Sequence, residues 1–180
     1  MRAPRRGRVF LLFGLSLLLA EATAAASQPV RSLAEIRYQN VVHQKWDLSC
    51  GAAALATLLT YDLADPISEL AVATEILKKR DAAKIRKQGG FSLLDLQEVA
   101  AQRGYEADGY GNLTIADLAS MLPAIVPLEL SRGDHFVVVR HIGEGGVAFA
   151  DPAFGNRSLP VAAFTDFWVQ KVAFVAHRRR

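Results

Sequence analysis

Cysteine is almost missing from this chain, with Cys50 standing alone among 180 residues. A single thiol excludes an intramolecular disulfide and the zinc sites that need several thiolates, so any metal site would have to be built from histidines and carboxylates. Long apolar runs are missing too. The run from Val9 to Ala20 falls short of the roughly 20 residues of a membrane span and is followed at once by Glu21. Net charge is small, at +3, and most of it sits at the start, where Arg2, Arg5, Arg6 and Arg8 precede the apolar run. Ala22-Thr23-Ala24 and Ala24-Ala25-Ala26 then offer small-x-small cleavage sites. Residues 1–26 are therefore expected to be a secretory signal peptide, leaving 27–180 as one domain without a membrane span. With that segment removed, acidic and basic residues are equal in number, so the pI of about 9.2 belongs largely to the targeting segment. No nucleic-acid partner is implied, and Arg178-Arg179-Arg180 is an ordinary solvated tail. What the sequence does have is 51% hydrophobic residues against 22% charged, the balance of a folded domain.

From Ser27 to about Gln44 the pattern has no helical period and predicts an extended arm or strand. Cys50 to Tyr61 predicts a helix apolar on nearly every side, which belongs at the centre of the fold. Asp65-Pro66 announces a second helix running to about Arg80, as an N-cap followed by proline at the first helical position. Ser92-Leu93-Leu94-Asp95 has capping-box spacing and starts a third helix that stops at Gly104, and Thr114 starts a short fourth that ends before Pro123. Asp81 to Gly90 is expected to be a polar, basic loop. Beyond Pro123, the runs 125–130, 135–142, 147–151 and 169–176 are rich in β-branched residues and separated by turns, with Gly143-Glu144-Gly145-Gly146 as a hairpin connection. Helices first and antiparallel strands afterwards predict an α+β domain in which the Cys50 helix is buried against a C-terminal antiparallel sheet.

Cys50 falls in the first turn of the buried helix, with Ser49 or a neighbour as cap. Its sulfur there faces unpaired backbone N–H groups and the positive end of the helix dipole, which favours thiolate by about 0.3–2 kcal/mol. A lone cysteine is more commonly a small buried hydrophobe, but an unpaired thiol in an exported protein is chemically exposed and stands out.

The stretch Gln44-Lys45-Trp46-Asp47-Leu48-Ser49-Cys50-Gly51-Ala52-Ala53 resembles the active-site region of the papain-like C39 cysteine peptidases, known for removing double-glycine leaders from exported peptides. Gln44 six residues before Cys50, the strand His135-Phe136-Val137-Val138-Val139, and Asp151-Pro152 with Gly155 carry the resemblance. It spans most of residues 27–180 and implies a papain-like fold and a stand-alone exported peptidase that needs no cofactor and no metal. A departure is Ser49, where leader peptidases often carry Asp, and it bears on substrate preference. The transporter-fused members work at the cytoplasmic face, whereas a cleavable signal puts this chain in a bacterial periplasm. There its expected partners are a peptide or protein substrate with small residues, Gly-Gly or Gly-Ala, at the cleavage site, and the machinery that secretes fibre or peptide products such as functional amyloid. The alternative is a non-catalytic module that holds a glycine-rich export substrate in the same groove.

The residue types fit acyl transfer on their own. His135 can take the thiol proton and return it to the leaving amine, while Asp151 holds the ring in one tautomer. The Gln44 amide and the Cys50 backbone N–H can bind the oxyanion, a role in which losing one donor costs about 3–4 kcal/mol. The resemblance further implies a narrow site, built around Gly51 and Trp46, that would admit little beyond hydrogen. Strand register provides a check. Pairing Ile142 with Val147 puts Asp151 opposite Val138 and turns it away from His135, whereas pairing His141 with Val147 puts it opposite Val137 on the His135 face, with a bulge at the Gly-rich turn.

His141 is the reserve candidate for the functional histidine, and His43 and His177 are structural or exposed. Arg132-Gly133-Asp134 is turn chemistry, and Asn112-Leu113-Thr114 and Asn156-Arg157-Ser158 match glycosylation acceptors only as a pattern frequent by chance. N-terminal sequencing of the exported protein is expected to begin near Ala25 or Ser27; an intact Met1 chain in the membrane fraction would indicate an anchor instead.

Overall fold

The structure is a computed structural model and describes residues 30–130 and 133–179. The expected signal peptide and Arg132 lie outside the described residues. Side-chain caps start most of the helices. Ser32 accepts from the Glu35 N–H at 3.1 Å while the Glu35 carboxylate accepts from the Ser32 N–H at 2.6 Å, opening α1 (Leu33–Arg37) where an extended arm was expected. This reciprocal local box suffices to wind a turn without an apolar stripe. α2 (Cys50–Thr57) runs on into a π-helical turn, Leu58–Asp62. α3 (Glu69–Leu77) starts at Ser68 rather than at Asp65-Pro66, since the Ser68 hydroxyl accepts from the Ala71 N–H and Asp65 is taken up by an ion pair with Arg103. The stretch expected as a polar loop holds α4 (Ala82–Lys87), because Asp81 accepts from the N–H groups of Ala83 and Lys84 and Ile85 is buried. α5 (Leu93–Gln102) has the expected capping box of Ser92 and Asp95.

Strand β1 (Tyr105–Tyr110) was not anticipated; it buries only Tyr105 and Ala107. α6 (Ile115–Ser120), boxed by Thr114 and Asp117, leads to β2 (Ala124–Leu130), β3 (Gly133–Gly143) and β4 (Gly146–Asp151). β5 (Gly155–Leu159) and α7 (Val161–Phe167) were also missed: the one is a polar edge strand, and the other has no side-chain cap bond. The last expected strand starts late, as a 3₁₀ turn at Val169–Lys171 precedes β6 (Ala173–Arg178). The six strands form one antiparallel sheet in the order β1-β6-β2-β3-β4-β5.

Alternate residues of the sheet feed two cores, which is why its strands read as nearly continuous apolar runs. Ile125, Val138, Ala150 and Phe174 pack with Leu55, Leu58, Leu59, Val72 and Leu96 of the helices. Val126, Val137, Val139, Val147 and Phe149 pack with Leu118, Phe164 and Trp168. All eight residues of α2 are buried, and its Gly and Ala side chains let its backbone lie close to β3. Among the described residues no helix is long and apolar enough to cross a membrane.

Register on β3 and β4 follows neither simple alternative. Ile142 does pair with Val147, but the ladder shifts between Val139 and His141, so that Val139 pairs with Phe149 and Val138 with Ala150. Arg140 is the extra residue, and one step further on Asp151 comes opposite Val137. The bulge thus sits inside the strand and not at the glycine turn. Its side chain is anchored, with the Arg140 guanidinium donating to both Asp62 oxygens at 2.8 and 2.9 Å and to the Asn40 carbonyl at 2.8 Å. Arg140→Met should therefore cost about 1.5–3 kcal/mol in urea unfolding, because the Asp62 carboxylate loses a charged, half-buried partner. A change below about 0.5 kcal/mol would show that the contact contributes nothing beyond a solvated pair.

Candidate active site

Cys50 is the first residue of α2 and is buried. Ser49 occupies the N-cap position but makes no capping hydrogen bond, because its hydroxyl is engaged by Trp46 and Glu69. The opening N–H groups of the helix therefore keep no side-chain acceptor, and the thiol stands at an uncapped positive helix end.

His135, near the start of β3, and Asp151, at the end of β4, are joined by a hydrogen bond of 2.7 Å between Nε2 and Oδ1. The acceptor carboxylate sets Nε2 as a donor and leaves Nδ1 as the other nitrogen for chemistry. Asp151 is 1% exposed, and Oδ1 also accepts from the N–H groups of Ala153 at 2.9 Å and Phe154 at 3.1 Å. Burial would raise its pKa, but the hydrogen bond and charge of His135 and these two backbone donors outweigh burial and hold the carboxyl below its ordinary value. Burial would likewise lower His135, but the hydrogen bond with Asp151, the neighbouring Cys50 sulfur and the charges of both raise it to about 9. An imidazolium whose pKa is raised above its unfolded value stabilises the fold fully below about pH 6.5, and that contribution is lost as pH rises through about 9.

The turn carrying Asp151 is held from the N-terminal side. The Tyr38 hydroxyl donates to Ala153 O at 2.6 Å, the Gln44 N–H to Pro152 O at 2.9 Å, and the Asn156 amide to the carbonyls of Arg37 and Gln39. Gly155 is required where the two segments meet, since its φ is +79° and a Cβ there would run into Arg37 O at 2.6 Å. Sequence reasoning gave no role to Arg157, which reaches the second oxygen of Asp151 at 3.3 Å and lies over the rings of Phe149 and Phe154. A polar β5 and an isolated Phe-Gly are the only traces of this support in the sequence.

Gln44 lies on the loop before α2. Its Nε2 donates to Trp46 O at 3.2 Å, which leaves the second amide hydrogen free, while its Oε1 is buried without a partner among the described residues. A cleft of about 420 Å³ opens at Cys50, lined by Gln88, Gly89, Gly90, Phe91, Gly133 and Phe136, among others. A Cβ on Gly51 would meet the Phe136 ring at 3.3 Å and Phe91 O at 3.5 Å, so Phe136 and Phe91 narrow the space beside the thiol. Trp46 does not line this cleft, contrary to expectation. It is half exposed in a separate apolar groove of about 300 Å³ with Leu70, Leu77, Ile85 and Phe91. His43 is exposed and stacked on Tyr38, and His141 and His177 are exposed away from the site. Among the described residues no group of three or more His, Cys, Asp and Glu side chains is placed to hold a metal ion.

Comparison with known proteins adds to this geometry. The probable functional amyloid protease FapD of Pseudomonas aeruginosa is 35% identical over 172 residues, covering 88% of this chain and 75% of that protein. The protein of the same name from Pseudomonas fluorescens is 35% identical over 145 residues, covering 81% of this chain and 64% of its own length. In fold, the chain is similar to the peptidase domain of Streptococcus ComA, a bifunctional ABC transporter, with a TM-score of 0.64, 21% identity and coverage of 77% of this chain and 98% of that one. It is also similar to a double-glycine-motif protease from an AMS/PCAT transporter, solved with its leader peptide, with a TM-score of 0.62, 24% identity and coverage of 76% and 89%. Residues 38–180 match the model of the peptidase C39 family, and the chain belongs to that family.

Proposed function

We propose that this chain is a cysteine endopeptidase that cleaves an exported polypeptide after small residues, with Cys50 as nucleophile, His135 as proton carrier, Asp151 as its orienting carboxylate and Gln44 as an oxyanion donor. The observation that carries the reading is the buried 2.7 Å bond from His135 to Asp151 beside a thiol at an uncapped helix start. A binding module has no use for an imidazolium held up to about pH 9 against a cysteine.

The thiolate attacks the carbonyl carbon of the scissile bond, and the electron pair of the C=O moves to the oxygen, where the Cys50 N–H and the free Gln44 amide hydrogen receive it. Collapse of this intermediate breaks the C–N bond as His135 delivers its proton to the leaving nitrogen, leaving a thioester and a neutral imidazole. His135 then takes a proton from water, the resulting hydroxide attacks the thioester, and the thiolate leaves with the imidazolium restored. Asp151 stays ionised throughout, and its bonds to Ala153 and Phe154 keep it from turning away.

The Phe136 ring and the Phe91 carbonyl at Gly51 support a preference for glycine or alanine on the acyl side of the cleaved bond. The expected substrate is an exported, fibre-forming or peptide product handled by a secretion system, and the expected compartment is the periplasm. Both expectations are supported by the relatives named as amyloid proteases and by the basic, apolar N-terminal stretch.

Three measurements bear on this. Alkylation of Cys50 by iodoacetamide should stay fast well below pH 8 and slow in His135→Ala, and the upper limb of kcat/KM, near pH 9, should move down by about one unit or more in Asp151→Asn, which removes the charge and the charge-assisted hydrogen bond that Asp151 contributes to raising His135. An unmoved limb would leave Asp151 without its orienting role. With peptides, replacing either glycine of a Gly-Gly site by Leu should lower kcat/KM by about a hundredfold, against a few-fold change for substitutions further out. Equal turnover would remove the small-residue preference, and no turnover with a reactive Cys50 would favour the binding module.

A further inference from the structure

Glu69, the first residue of α3, is 3% exposed, and among the described residues no Lys, Arg or His forms an ion pair with it. A buried carboxylate without a counterion is costly and is retained only where its oxygens are fully used. Here both oxygens accept from the Lys45 N–H, at 3.0 and 3.2 Å, and Oε1 also binds the Ser49 hydroxyl. Lys45 follows Gln44 and Ser49 precedes Cys50, so one carboxylate grips both ends of the loop that separates the two oxyanion donors.

The acceptor count on Trp46 gives this grip a specific consequence. The Trp46 carbonyl receives the Ser49 N–H at 3.2 Å and the Gln44 Nε2 amide at 3.2 Å, which uses its two lone pairs. The Ser49 hydroxyl also lies 2.7 Å from the same oxygen. That hydroxyl accepts from the Trp46 N–H at 3.3 Å and bridges the Trp46 carbonyl to Glu69, so the carbonyl that anchors the Gln44 amide is tied to the α3 carboxylate through one oxygen.

We infer that Glu69 is a positioning residue for the oxyanion donor: by holding the Lys45 N–H and the Ser49 hydroxyl it fixes the loop whose Trp46 carbonyl anchors the Gln44 side chain. The inference rests on the oxyanion role proposed for Gln44.

The test uses the signal-free protein with a Gly-Gly peptide and, separately, iodoacetamide, which reads the thiol without needing an oxyanion site. Glu69→Met, which keeps the volume and removes the acceptors, should lower kcat by about tenfold or more, with KM and the Cys50 alkylation rate each within about threefold. Glu69→Gln should recover most of that loss, since one amide oxygen at the Oε1 position accepts from both Lys45 and Ser49. Adding Ser49→Ala to Glu69→Met should lower kcat by less than about a further twofold, because the bridge to the carboxylate is already broken, and Glu69→Met should cost less than about twofold in a Gln44→Ala background. A fall in alkylation parallel to kcat, no recovery with Glu69→Gln, or multiplicative losses with Gln44→Ala would each overturn the inference. A Gln44→Ala variant with full kcat would overturn the oxyanion reading and this inference with it, whereas a costly Gln44→Ala beside a harmless Glu69→Met would overturn this inference alone. Should the Glu69 variants fail to fold, Ser49→Ala in the otherwise native chain carries the test: kcat should fall at least about threefold with the Cys50 alkylation rate held within about threefold, and a native kcat would overturn the inference.

Discussion

The carboxylate of Asp151 is almost wholly withdrawn from water, and the donors that hold it there are the constraint on which the rest of the site depends. Oδ1 alone receives His135, Ala153 and Phe154, so the ring, the turn and the strand end are fixed relative to one another through one atom. A buried anion of this kind persists only when fully hydrogen-bonded, and it returns the cost by raising the imidazole above neutrality. The N-terminal segment belongs to the same arrangement, because Tyr38, Gln44 and the carbonyls of Arg37 and Gln39 all bond to the turn that follows Asp151.

Register decides whether that bond can exist. Without the bulge at Arg140, a hairpin closed by Ile142 and Val147 would turn Asp151 to the opposite face from His135. The extra residue shifts the ladder by one, and its guanidinium is held by Asp62 at the end of the buried helix. The helix that carries the thiol therefore also anchors the strand irregularity that aligns the histidine and the carboxylate. Small residues in α2 matter for the same reason, as Gly51 sits against Phe136 with little room to spare.

Charge is distributed unevenly around the thiol, with each piece positioned by a different element. The helix start and His135 stand beside the sulfur, and Asp151 raises the pKa of His135 through its hydrogen bond and charge. Glu69 places a second buried carboxylate under the loop on the other side of α2, bonded to backbone and hydroxyl rather than to a cation. Placing the two carboxylates in separate networks keeps the second anion hydrogen-bonded to the loop and away from the His135 to Asp151 bond.

Much of this was determined by the sequence itself, for reasons of short-range chemistry. The apolar helix opening at Cys50, the capping box at Ser92, the helix start at Thr114 and the β-branched runs after Pro123 are each written in neighbouring residues, whereas Gln44, His135 and Asp151 are legible through the family resemblance that their motifs carry. Elements whose signals lie in a few polar residues were not legible: α1 and α4 depend on the caps at Ser32 and Asp81, and β5 is an edge strand that shows almost no apolar alternation. Only the tertiary structure decided the place of the bulge, the separation of Trp46 from the cleft and the use of Arg157 and Glu69. Each of these is settled by a partner far along the chain, Asp62 for Arg140 and Lys45 and Ser49 for Glu69, and local sequence carries no record of which distant group will arrive to satisfy a buried charge.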